Sequence, residues 1–161
     1  GGGQERNLRS GTLPAPLCVG FGKTCELAVA EMPAEAERLG KMRDGLIEKL
    51  TTALDGIQIN GGMEDRVPGN LNISIEGVDA ESMMAALPDL AVSSGSACTS
   101  ASEESSYVLQ AIGLSNEMAE ASLRIGLGRF NTEDEVDYAA ERLIEEITNV
   151  REGRKNISAA E

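Results

Sequence analysis

Hydrophobic and polar positions along the chain divide it into segments with two distinct periods. Leu17, Phe21, Cys25, Ala28 and Met32 recur at spacings of three and four, which predicts one apolar helix face over about 15 to 32. Pro33 suits the first turn of a second helix, whose stripe of Leu39, Met42, Leu46, Leu50 and Leu54 runs to Gly56. "IQI" at 57 to 59 reads as a short strand, and a turn-rich "NGGMEDRVPG" follows it. "NLNISIEG" then alternates, with Leu71, Ile73 and Ile75 on one side and Asn72 and Ser74 on the other, as in a strand with one buried face.

The remaining segments follow the same logic. Asp79 caps a short helix over 80 to 87 that Pro88 ends, and "LAV" at 90 to 92 reads as a strand. Short helices are expected near 104 to 112, stopped by Gly113, and near 116 to 121. "SLRIGLG" predicts a strand with Leu123, Ile125 and Leu127 inward and Arg124 outward. Thr132 and Glu135 form a capping box, and Val136, Ala140, Leu143, Ile147 and Val150 make the stripe of a final helix before a frayed tail over 152 to 161. Strands without regular strand-helix-strand alternation indicate an α+β class: a two-layer sandwich of a small, mainly antiparallel sheet with helices on one face.

Composition narrows the partners. Lysine and arginine number 14 against 27 acidic residues, a net charge of −13, so a phosphate backbone is a poor ligand. No apolar run approaches the ~20 residues of a membrane span, and no basic-then-apolar leader opens the chain. Three cysteines, at 18, 25 and 98, do not make a disulfide framework and suit a reducing compartment. Histidine is absent, which removes the commonest neutral-pH base and metal ligand. The opening Gly1 suggests a piece of a larger protein.

Three places carry candidate chemistry. Cys98 lies in "SSGSACTSAS", where small neighbours supply little apolar cover and suit a thiol that must stay reachable; the bland reading is an inert small residue. Arg124 offers two parallel hydrogen bonds to a carboxylate, and its bland reading is a surface salt bridge. "GGGQERNLRSGT" combines glycines, hydroxyls and two arginines, which suits a phosphate, but no fingerprint spacing is present and, read alone, a linker is the favoured reading. Cys18 and Cys25 lie seven apart on one predicted helix face and are expected to pack in a core.

The order of "GGGQERNLRSGTLP", "VPGNLNIS", "LAVSSGSACTSASEESSYVLQAIG" and "SLRIGLGRFNTEDEVDY" closely resembles the C-terminal portion of cysteine desulfurases, pyridoxal-phosphate enzymes of the class V aminotransferase type, in their housekeeping iron-sulfur-cluster branch. The resemblance implies the small domain of a fold-type I enzyme over 32–151, with a catalytic cysteine loop at 93–105. A strip of the large domain and a linking helix over 1–31 would precede it. It implies that Cys98 attacks the sulfur of cofactor-bound L-cysteine, giving L-alanine and a persulfide for an iron-sulfur scaffold or sulfur-carrier protein. Arg124 would bind the substrate carboxylate, and Thr12 the phosphate of pyridoxal 5'-phosphate in the other subunit of a homodimer. The lysine that anchors the cofactor would precede Gly1, so the chain is expected to be active only with that upstream part, in a cytoplasm or mitochondrial matrix. A non-catalytic module that accepts sulfur or docks partners is the alternative.

Overall fold

A computed structural model of the chain describes residues 2–94 and 105–158, with side chains through Gly153. It forms two compact units, Gly1–Glu35 and Ala36–Glu161. Helix α1 (Ala15–Ala53) begins in the first and ends in the second. The two helices expected over 15 to 56 are therefore one. Pro33 lies inside it, where its ring costs one i→i−4 hydrogen bond without ending the helix.

In the first unit every residue from Gly2 to Ala34 is exposed. Ahead of α1, Glu5, Arg6 and Asn7 form a single turn in which all three hold positive φ, at 52°, 56° and 65°. Cys18 and Cys25 are free and exposed, which corrects the expectation of core packing. Their stripe is real as a periodicity, but this half of α1 buries none of its residues.

The second unit contains the core. Among the described residues four strands form one antiparallel sheet in the order β1-β2-β4-β3: β1 (Ile57–Ile59), β2 (Asn70–Ile75), β3 (Ser93–Ser94) and β4 (Ser122–Gly126). Alternation along β2 and β4 sends Leu71, Ile73, Ile75, Leu123 and Ile125 to one face. There they meet Leu39, Met42, Leu46 and Leu50 of α1, Met83 of α2 (Ala80–Ala86), and Val136, Ala140, Leu143 and Ile147 of α5 (Glu133–Ser158). With no tryptophan and few rings, this core is built almost wholly from Leu, Ile, Val, Met and Ala. Two short helices, α3 (Tyr107–Ala111) and α4 (Asn116–Glu120), complete the unit.

The caps form as the sequence requires. Asp79 accepts from the Ser82 amide at 2.8 Å, and Thr132 and Glu135 exchange side-chain-to-amide bonds of 3.2 and 3.1 Å at the start of α5. Two details differ. The strand expected at 90 to 92 begins at Ser93, because the Leu90 and Val92 amides bond back to Leu87 and Leu90 and close turns there. The tail expected to fray stays helical to Ser158, and Arg151 ties α5 to the Glu76 carbonyl through Nε at 3.0 Å and Nη2 at 2.7 Å. Among the described residues no helix is long and apolar enough to cross a membrane.

Candidate functional site

Among the described residues the polar face of the sheet is closed at one end and open at the other. Ser74 of β2 stands opposite Ser122 of β4, and both are fully buried. Their hydroxyls donate to the carbonyls of Met118 and Ala119 at 2.7 Å each, so the end of α4 lies over them. Asn60, just after β1, extends this network: its Nδ2 donates to Asn72 Oδ1 at 2.6 Å and to Ser74 Oγ at 2.8 Å. Among the described residues Asn60 Oδ1 is a buried acceptor with no partner.

Two residues along β4 from Ser122 the cover provided by the described residues stops. The register places Arg124 between Asn72 of β2 and Ser93 of β3, one row across three strands. Its strand neighbours Leu123 and Ile125 are buried while Arg124 is exposed, as alternation predicts. Among the described residues its guanidinium has no hydrogen-bond or ion-pair partner. A planar cation flanked by neutral amide and hydroxyl side chains on a fixed strand suits bidentate capture of a carboxylate.

The other expected site residues have different surroundings. Thr12 belongs to the first unit, exposed, directly after Gly11 at φ 127°. Nearby, the Gly11 amide donates to Gln4 Oε1 at 3.2 Å and Arg9 Nη1 to the Ser10 carbonyl at 2.8 Å. Cys98 lies outside the described residues.

Several arginines hold loops around the sheet. Arg38 donates to the carbonyls of Asn131 at 2.8 Å and Arg129 at 2.9 Å, fixing the turn between β4 and α5. Arg43, which is buried, pairs with Asp44 and donates to the Pro68 carbonyl at 3.1 Å. Arg66 donates to the carbonyls of Asn60 and of Gly62, beside an open hollow of about 390 Å³ lined also by Gly61, Asp65, Val67 and Asn70. Burial, and secondarily the charge of Arg43, lower its pKa from the usual arginine value. Because its donors already serve backbone carbonyls, it supports the β1–β2 connection. The sequence signal for these roles was weak: Arg43 and Arg38 sit beside the apolar stripe of α1, and nothing local names the distant carbonyls.

Residues 2–139 match the family described as aminotransferase class-V. The chain belongs to that family. It is similar to the cysteine desulfurase IscS of Anaeromyxobacter sp. strain Fw109-5, at 53% identity over 94% of this chain and 38% of the relative. The cysteine desulfurase of Homo sapiens is 49% identical over 94% of this chain and 33% of its own length. Among solved structures, a NifS-like protein of Rickettsia africae gives a TM-score of 0.78 at 29% identity over 92% of this chain and 39% of that one. A second NifS-like protein gives 0.77 at 31% identity, covering 92% and 38%. The chain thus spans little more than a third of the length of these relatives. Class-V aminotransferases and cysteine desulfurases are pyridoxal-phosphate-dependent.

Proposed function

We propose that this chain is the C-terminal portion of a cysteine desulfurase, in which Arg124 anchors the carboxylate of L-cysteine and Cys98 receives its sulfur. The observation that carries the reading is Arg124: an exposed guanidinium without a partner among the described residues, framed by Asn72 and Ser93, in a chain of this family. Holding the substrate by its carboxylate leaves the side chain of cysteine to be presented elsewhere, which is the geometry a sulfur acceptor needs. Cys98 takes the sulfur as a thiolate: a sulfur–sulfur bond forms, the substrate carbon–sulfur bond breaks, and the carbon leaves with a proton as L-alanine. The resulting persulfide is then passed to an iron-sulfur scaffold or sulfur-carrier protein.

Pyridoxal 5'-phosphate, when bound, supplies the electron sink that loosens bonds around the substrate α-carbon. The residues here fit its phosphate end only. The Thr12 hydroxyl is exposed beside Gly11 and has no partner among the described residues, as suits a donor to a phosphate across a homodimer interface. With no histidine in the sequence and the anchoring lysine assigned upstream, the 161 residues alone are proposed to be inactive. Residues 1–31 are read as a strip of the large domain and a linking helix, which accounts for Leu17, Phe21 and Val29 being exposed at 72–73%. Residues 32–151 are read as the small domain.

The test is to join the chain to the N-terminal part of the Anaeromyxobacter relative, add pyridoxal phosphate and cysteine, and weigh the protein. One extra sulfur, absent in Cys98→Ala, is expected. Labelling that appears only when an inorganic polysulfide is supplied, whose sulfur–sulfur bond the Cys98 thiolate breaks to form its own with release of the shortened polysulfide, would overturn the catalytic reading and favour a non-catalytic sulfur-accepting module. Arg124→Ala is expected to raise KM for cysteine while leaving cofactor absorbance unchanged, and loss of the absorbance with unchanged KM would contradict its role.

A further inference from the structure

A charged cluster outside the proposed carboxylate site grips the segment that delivers β3 to it. Asp89 follows α2 by three residues and precedes β3 by four. Its Oδ2 accepts from the Tyr138 hydroxyl at 2.5 Å and from Arg142 Nε at 3.2 Å, both from one face of α5. Arg142 Nη1 also pairs with Glu145 and, at 3.0 Å, with Glu146. Between Asp89 and the strand the chain has little slack, since the Leu90 and Val92 amides close consecutive turns onto Leu87 and Leu90. Leu87 itself is buried in the core.

The strand reached in this way cannot place itself. Among the described residues β3 has two, Ser93 and Ser94, and lies at the sheet edge, where so short a ladder specifies register weakly. Yet it is this strand that makes β4 an interior strand and sets Ser93 opposite Arg124. We propose that Asp89 is a positioning residue: held by Tyr138 and Arg142, its carboxylate fixes where β3 lies against β4 and so keeps Arg124 aligned for the substrate. This inference rests on the reading of Arg124 as the carboxylate anchor. The charge balance supports assigning the effect to Asp89. Arg142 keeps Glu145 and Glu146 when Asp89 is removed, so α5 is not left with an unpaired cation.

In the joined holoenzyme described above, Asp89→Ala and Tyr138→Phe are expected to raise KM for cysteine roughly 3- to 10-fold with cofactor absorbance unchanged. Both should speed amide hydrogen exchange in peptides carrying Ser93–Ser94, and Asp89→Asn, which keeps an acceptor for Tyr138, should restore most of the wild-type KM. A lowered melting midpoint with unchanged KM and unchanged exchange at β3 would overturn the proposal. Arg124→Ala runs in parallel: if it too leaves KM unaltered, the anchor reading has failed, and exchange at β3 alone then decides whether Asp89 positions the strand.

Discussion

The two halves of α1 carry the same kind of stripe and meet opposite fates. Leu39, Met42, Leu46 and Leu50 are buried against the sheet, whereas Leu17, Phe21, Cys25 and Met32 stand in solvent on the same helix. A three-to-four spacing of apolar residues therefore reports that a face is suited to burial, without naming what covers it. The second half finds its cover in β2, β4 and α5 of its own unit.

That contrast is broken most forcefully in the core. Leu46→Ala removes a side chain that is 1% exposed and should cost about 2–5 kcal/mol, read as a fall in the urea midpoint. Phe21→Ala in the same 161 residues should stay within about 0.5 kcal/mol of wild type. Equal losses from the two would show that the first half of α1 is buried in solution. A smaller effect is expected at Gly69, where the chain passes β4 so closely that a Cβ would run into the carbonyl oxygen of Leu127, whose amide donates to the Gly69 carbonyl at 2.7 Å. Gly69→Ala should cost roughly 1–3 kcal/mol, with faster exchange of the Leu127 amide and an intact α1.

Much of the second unit was legible because its signals are local. Alternation in "NLNISI" and "SLRIG", the Asp79 cap and the Thr132–Glu135 box each depend on residues within a few positions, and each appears as read except that Ser74, expected opposite the one buried face of β2, is itself buried under α4. Misreadings arose where one residue type allows two outcomes. Pro33 at a helix start and Pro33 inside a helix look alike until packing on both sides is known. Arg124 was placed outward by parity alone, but its frame of Asn72 and Ser93 needs the strand order β2-β4-β3, which no spacing encodes. Asp89 was invisible for the same reason: its partners Tyr138 and Arg142 lie 49 and 53 residues away.

Smaller effects test two parts of the first half of α5, its start held by a local box and the turns after it by those distant pairs. Thr132→Ala removes the acceptor for the Glu135 amide and should cost about 1 kcal/mol in the urea midpoint. The Asp89 contribution is instead read through pH. Its carboxyl is held below the usual carboxylate range, first by the Tyr138 hydroxyl, then by its own backbone and by Arg142. A depressed folded-state value means that its contribution is complete above the unfolded value of about 3.9 and is lost as pH falls through the lower folded one. Tyr138 is raised, chiefly by the same hydrogen bond, so its share holds below about 10 and is lost only as pH rises beyond that. Between those limits the clamp does not titrate. Asp89→Asn should therefore flatten the acid limb of urea midpoints measured from pH 6 downward and leave the slope around neutrality unchanged. A changed slope near pH 7 would mean that some other ionisation governs the hold on β3.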